Sequence, residues 1–230
     1  MLVLALDTST ALTTVALVAS GGDVLAESSH LDARRHAEML PRLVRDVLAS
    51  SGSTPADLGL LAVGVGPGPF TGLRVGVAFA RAAAHARGIP VVGAMSLDVI
   101  ARARQQEGPF TVVTRSRRVE VAWAAYDGSG RRIDGPLIQP DPGYPRRGLV
   151  VGDVEGVDVV ARPCASDLAV LVQERIASGE SLPDDREWPE DAADGSGVPT
   201  AALLADLALQ ERWLLPALPL YLRRPDAVPA

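Results

Sequence analysis

The sequence predicts an α/β protein, and three features indicate this class. Apolar strands at Thr13–Ala19 and Val24–Ser28, joined by Gly21-Gly22-Asp23, form a β-hairpin near the start of the chain. Leu60–Val65 is a near-continuous apolar run, which is typical of a central strand covered on both faces. Helical patterns alternate with the later strands, as expected when helices pack against a sheet.

Apolar periodicity and turn residues define the remaining elements. Apolar pairs at helical spacing predict a helix from His36 to Ala49, with Pro41 in its first turn, where a missing N–H costs little. Thr71 is expected to cap a second helix that stops at Gly88. Ser96 is expected to cap a third helix, to about Arg104. Further strands are predicted at Leu2–Leu6, Val91-Val92, Phe110–Val113, Val119–Tyr126, Arg131–Ile138 and Leu149–Val151, with a helix at Ser166–Ala177.

The last third of the chain has a different composition. Gly179–Pro199 is acidic and rich in Pro and Gly, which predicts a mobile loop. A last helix is predicted at about Thr200–Trp213, before the tail that contains Pro219–Ala227. No internal repeat is visible in the sequence.

Composition excludes several classes of function. All 22 basic residues are arginine, so a Walker A lysine, a kinase strand lysine and a Schiff-base lysine are excluded. The formal net charge of −6 means that the surface as a whole does not attract nucleic acid. Cys164 is the only cysteine, and no apolar run approaches the length of a membrane span. The sequence therefore predicts a cytoplasmic protein without an internal disulfide.

Asp7 follows the first predicted strand and precedes Thr8, Ser9 and Thr10. A carboxylate at this position could hold a metal ion or a water beside a phosphate, with the hydroxyls as donors. It could equally be a structural residue that closes the turn into the hairpin.

A glycine-rich turn from Gly64 to Arg74 is the most distinctive stretch of the chain. It leads into a helix N-terminus, and such ends favour anions. It matches neither a Walker A motif nor a dinucleotide fingerprint, and Pro67 and Pro69 lack N–H donors. The alternative is a stiff turn that allows close packing. The nucleotide-binding candidates are Asp7, Thr8, Gly66, Gly68, Thr71 and Gly72.

The helix behind this turn is apolar on most sides, so it is expected to be buried on more than its sheet-facing side. A partner could cover it together with the helix that begins at His36. Ala80→Arg would then disrupt the contact. The candidate interface residues are His36, Met39, Leu40, Leu43, Val44, Val47, Arg74, Val77, Ala80, Arg81 and Ala84.

Catalytic and metal signatures are weak elsewhere. The three histidines, His30, His36 and His85, form no metal-binding pair, and no Gly-x-Ser-x-Gly elbow is present. No catalytic residue and no metal ligand is therefore predicted. Arginines could contact RNA phosphate or simply be solvated. They are Arg115, Arg117, Arg118, Arg131, Arg132, Arg146 and Arg147.

Four stretches together resemble one family, TsaB (also called YeaZ). They are Leu6–Thr10, His36–Pro41, Gly66–Gly76 and Pro219–Ala227, and their order and spacing also fit. The resemblance implies an actin-like (ASKHA, ribonuclease-H-like) α/β fold of two lobes. The first lobe would span 1–104, completed by the C-terminal helix and tail, 200–230. The second would span 105–199, with the mobile loop at about 179–199.

The resemblance also implies a role. Such proteins act as non-catalytic scaffold subunits that pair with a catalytic TsaD-like subunit and a TsaE-like ATPase. The complex transfers threonylcarbamoyl from threonylcarbamoyl-AMP to N6 of the adenosine 3′ of the tRNA anticodon. The resemblance implies that the chain has no cofactor of its own, and it leaves open whether ATP or ADP binds within the complex. It also suggests that the chain forms a homodimer when the partner is absent.

Two departures and two rival functions accompany this resemblance. Arg115 stands where family members usually have an acid, and Pro69 stands where serine is more usual. A stand-alone actin-like ATPase or kinase would need a second acid and an adenosine-binding Gly-Gly in the second lobe. The only Gly-Gly is Gly21-Gly22, in the first hairpin. No motif supports a peptidase.

Overall fold

The computed structural model describes residues 1–104, 108–183 and 212–220. Its first lobe is a six-stranded mixed sheet in the order β11-β5-β4-β1-β2-β3, with β1 at its centre beside β4. The elements up to residue 104 are β1 (Leu2–Asp7), β2 (Leu12–Val18), β3 (Val24–Leu31), α1 (His36–Ser50), a 3-10 turn (Pro55–Asp57), β4 (Leu58–Gly64), α2 (Phe70–Arg87), β5 (Val91–Ala94) and α3 (Ser96–Arg102).

The second lobe is built on a five-stranded sheet in the order β10-β9-β6-β7-β8. Its strands are β6 (Phe110–Arg117), β7 (Glu120–Tyr126), β8 (Arg132–Pro140), β9 (Leu149–Gly152) and β10 (Val159–Val160). They are followed by α4 (Ala165–Ala177) and by β11 (Leu214–Leu215), which pairs with β5 in the first sheet.

The two sheets share one topology, although the sequence shows no repeat. In each, three consecutive strands pair antiparallel, and the next two strands add in parallel on the other side of the first. The two lobes therefore repeat the same order and direction of strands without repeating the residues, so the sequence does not reveal the repeat. This arrangement is the two-lobed actin-like α/β fold that the resemblance implied.

The first sheet is covered on both faces. On β1, Leu4 and Leu6 point towards α1 and α2, whereas Val3 and Ala5 point towards α4. This alternation follows from the two-residue period of a strand. Helix α4 therefore packs on the first lobe, although its sequence position had placed it in the second lobe, at 105–199. The lobe to which α4 belongs is decided by packing between residues that are far apart in the sequence.

Three local expectations at helix ends need correction. The N-cap of α2 is Pro69, not Thr71, and the N-cap of α3 is Met95, not Ser96. Pro41 is the sixth residue of α1, so it lies beyond the first turn and removes a donor from the helix interior. Gly88 does end α2, in the left-handed conformation with φ 64°.

Some predictions fall on residues that are not described. These include most of the acidic loop 179–199, most of the last helix expected at Thr200–Trp213, and the tail beyond residue 220. Among the helices of the described ranges, none combines the length and the apolar character that crossing a membrane requires.

Candidate functional site: a closed glycine-rich turn and an exposed helix stripe

Asp7 is completely buried at the end of β1. Its Oδ1 accepts hydrogen bonds from the backbone N–H and the hydroxyl of Ser9, both at 2.7 Å. Its Oδ2 accepts one from the hydroxyl of Ser96, also at 2.7 Å. Burial raises the pKa of Asp7, because desolvation outweighs these hydrogen bonds. Both carboxylate oxygens are thus engaged by the chain itself.

The glycines of the distinctive turn allow close contact with the Asp7–Ser9 segment. A Cβ at Gly64 would meet the Asp7 carboxylate, and one at Gly68 would meet the backbone of Ser9. The N-terminus of α2 is equally close, since the Thr8 hydroxyl donates to the Gly72 carbonyl at 2.7 Å. The chain's own backbone therefore occupies the space beside the glycine-rich turn.

The structure brings five of the six nucleotide-binding candidates together where the glycine-rich turn and the start of α2 meet the Asp7–Ser9 segment. Asp7, Thr8, Gly66 and Gly72 are buried, Gly68 is half-buried, and Thr71 lies exposed at the start of α2. With both Asp7 oxygens engaged, this geometry favours the close-packing interpretation over a phosphate site. Nucleotide binding within a complex stays a prediction.

His36 is a buried structural residue at the start of α1. Its Nδ1 lies 2.7 Å from the Thr13 hydroxyl, and its side chain is next to Gly72. Burial lowers the pKa of His36 because the imidazolium form would be desolvated. Within residues 1–104, 108–183 and 212–220, no group of three or more His, Cys, Asp or Glu could hold a metal ion.

Most of the candidate interface residues fill the chain's own core. They pack between the two helices and the first sheet, so a partner cannot reach them in this fold, and their assignment to the interface is wrong. Ala80, the site of the expected disrupting change, is 0% exposed. The buried candidates are His36, Leu40, Leu43, Val47, Val77, Ala80 and Ala84. The accessible ones are Met39, Val44, Arg74 and Arg81.

An exposed stripe on α2 remains available for a partner. It consists of Thr71, Arg74, Ala78, Ala82 and His85, at the three- and four-residue spacing of one helix face. We call these five residues the outer stripe. The sequence did not single out its two alanines, because α2 is so uniformly small and apolar that its pattern does not distinguish the buried face from the exposed one.

The arginines considered for RNA contact are mostly paired with carboxylates of the same chain. Arg115 donates to Asp141 at 2.7 Å, which is how the structure accommodates a basic residue at this position. Arg118 is exposed on the β6–β7 turn. The other ion pairs are Arg117–Glu120, Arg132–Asp98, Arg146–Asp158 and Arg147–Asp134. This pairing favours a structural role for most of the set.

A buried polar network was missed by sequence reasoning. Asp98 of α3 accepts from the Tyr126 hydroxyl at 2.7 Å and pairs with Arg132 at 3.0 Å. The Asp98 and Arg132 side chains are only 1% and 7% exposed. These residues come from three separate elements, so no local motif indicates them.

Comparison with known proteins identifies the family. The model of the family described as "TsaD: tRNA N6-adenosine threonylcarbamoyltransferase" matches residues 23–138. An uncharacterized protein of Mycobacterium tuberculosis is 40% identical over 99% of this chain and 94% of its own length. The tRNA threonylcarbamoyladenosine biosynthesis protein TsaB of Escherichia coli is 34% identical over 55% of each chain.

A solved structure extends this likeness to the fold. YeaZ from Pseudomonas aeruginosa superimposes with a TM-score of 0.68 at 26% identity, covering 79% of this chain and 96% of that one. Family model, sequence relatives and structure agree with the four stretches that first suggested the resemblance. The chain therefore belongs to the TsaB (YeaZ) family.

Proposed function

We propose that this chain is a non-catalytic scaffold subunit in the biosynthesis of threonylcarbamoyladenosine on tRNA. It pairs with a TsaD-like catalytic subunit and acts with a TsaE-like ATPase. The complex transfers threonylcarbamoyl from threonylcarbamoyl-AMP to N6 of the adenosine 3′ of the anticodon, and tRNA is engaged through the complex. Family membership supports the pathway, and the geometry of the glycine-rich turn supports the non-catalytic role.

The buried state of Asp7 is the observation that carries the non-catalytic part. A carboxylate that positions a metal ion or water must present an oxygen to the reacting groups. Both oxygens of Asp7 are instead engaged by Ser9 and Ser96. The absence of lysine removes another common phosphate ligand. The reacting groups would then have to come from the partner.

The outer stripe supports docking of a partner helix. Ala78 and Ala82 lie at its centre and have side chains small enough for a second helix to approach closely. When the catalytic partner is absent, we expect the same stripe to pair with a second copy of the chain.

Ala78→Arg tests this docking surface without disturbing the core, in contrast to a change at the buried Ala80. The added charge would be buried unpaired in the contact. Association with the TsaD-like protein should weaken by about 3 kcal/mol, or roughly 100-fold in Kd. Ala177→Arg, at the exposed end of α4, is the matched control and should bind normally. Calorimetry measures Kd, and circular dichroism checks folding. Wild-type affinity in a folded Ala78→Arg variant would contradict the assignment.

Two measurements separate the scaffold from the stand-alone ATPase or kinase. The purified chain should hydrolyse ATP negligibly, and turnover that Asp7→Ala abolishes would favour the rival. Depleting the protein from its organism should also remove threonylcarbamoyladenosine from tRNAs that read codons beginning with A. Mass spectrometry of digested tRNA measures this loss, and unchanged modification would contradict the proposed pathway.

A further inference from the structure

Helix α3 joins the two lobes, and its first residue holds the glycine-rich turn. The Ser96 hydroxyl donates to Asp7 at 2.7 Å and accepts the Gly66 N–H at 3.2 Å. The backbone N–H of Ser96 donates to the Gly66 carbonyl at 2.8 Å. The beginning of α3 is therefore fixed to the first sheet and to the turn from which α2 starts.

The middle of α3 is held by the second sheet. Asp98 accepts hydrogen bonds from Tyr126 of β7 and from Arg132 of β8, in a bidentate arrangement with the guanidinium at 3.2 and 3.0 Å. The near-complete burial of both side chains makes separation costly, because moving the lobes apart would break this bidentate ion pair in a poorly solvated site.

The end of α3 is held by the helix on the far side of the first sheet. Arg102 donates to Asp167 at 3.1 Å and to Glu174 at 2.9 Å, both on α4. Apolar contacts also connect α3 to both lobes. One core cluster contains Leu97 and Ile100 of α3 together with residues of both sheets, so the hydrophobic core is continuous between the lobes.

From these contacts we propose that α3 is a fixed joint that holds the two lobes in a single relative orientation. A hinge would need a weakly packed segment, whereas every residue from Ser96 to Ala101 is buried. The second lobe and the outer stripe then move as one rigid body. This inference concerns the chain alone and does not depend on the identity of its partner.

Distance measurement between two spin labels tests the joint directly. Cys164→Ser removes the native thiol, and Ala49→Cys on α1 and Arg118→Cys on the β6–β7 turn provide exposed labelling sites in the two lobes. Pulsed electron spin resonance of the wild-type joint should give a single narrow distance. The same distance should persist in urea until the whole chain unfolds.

Asp98→Asn removes a buried negative charge that pairs with Arg132 and tests how much this pair contributes; if it is the main contact, the distribution should broaden. Asp134→Asn is the matched control, since it weakens the exposed pair with Arg147 on the same lobe and should leave the distance unchanged. A broad or two-peaked wild-type distribution would overturn the proposal, whether or not the Asp98 variant folds. An unchanged distribution in a folded Asp98→Asn variant would support the fixed joint and assign it to the remaining contacts of α3, those of Ser96, Arg102 and the shared hydrophobic core.

Discussion

Replacing Gly68 with alanine tests whether the glycine-rich turn exists for close packing. The new Cβ would lie 2.9 Å from the Ser9 carbonyl carbon and 3.1 Å from its Cα, with the carbonyl oxygen nearer still. Ordinary van der Waals contact begins at 3.4 Å. The carbon contacts alone would require the two backbone segments to separate by about half an ångström, and the nearer carbonyl oxygen requires more. Neither can yield easily, because Asp7 and Ser9 are buried and hydrogen-bonded to each other.

The expected cost lies at the upper end of the range for overpacking, about 3 kcal/mol. For a chain of this size, that lowers Tm by roughly 6–12 °C. Gly52→Ala is the control, because nothing lies within 4 Å of its Cβ and only its φ of 67° is unfavourable. It should cost about 1 kcal/mol, or roughly 2–4 °C. Thermal unfolding followed by circular dichroism compares the two. A Gly68→Ala chain that melts no lower than Gly52→Ala would refute the packing argument.

Two further predictions concern the buried carboxylates. Because burial raises the folded-state pKa of Asp7, the folded chain holds that proton more tightly than the unfolded chain. The wild-type chain should therefore lose stability relative to Asp7→Asn as the pH rises from the ordinary carboxyl pKa to the raised pKa of Asp7. Urea unfolding measures the free energy of unfolding of both chains from acidic to neutral pH. A difference between them that stays constant over this range would contradict the prediction. Asp98→Ala should cost about 3 kcal/mol because it removes the buried carboxylate that binds the Arg132 guanidinium through two contacts, whereas Asp134→Ala, in an exposed pair, should cost less than about 1 kcal/mol. Equal losses in chemical denaturation would show that the Asp98 pair contributes no more than a surface pair.

The family and the first lobe could be predicted from the sequence because their signals are local. Strand alternation and a Gly-Gly turn predict the hairpin, and Gly88 marks the end of α2. The closeness of Asp7 to the glycine-rich turn was also foreseeable, since both follow strands of one sheet. The sequence could not show whether this closeness serves ligand binding or packing, because the answer depends on the distances between the two backbone segments.

The outer stripe shows why the exposed face of α2 could not be predicted from the sequence. The sequence correctly indicated two apolar helices, but it selected Val77 and Ala80, which the structure buries. An amphipathic helix reveals its exposed face through the phase of its polar residues. Helix α2 consists largely of alanine, glycine and valine, so this signal is weak, and contact with the sheet decides which alanines face outwards.

The sequence by itself determined the local elements of the first lobe, the family, and the absence of lysine chemistry. Tertiary structure alone decided the topological repeat, the side of the sheet on which α4 lies, and the pairing of Asp98 with Arg132, 34 residues away. The physical reason is the range of the forces involved. Turn chemistry and hydrophobic periodicity act between neighbours along the chain, whereas burial, close backbone contact and charge pairing depend on residues that only folding brings together.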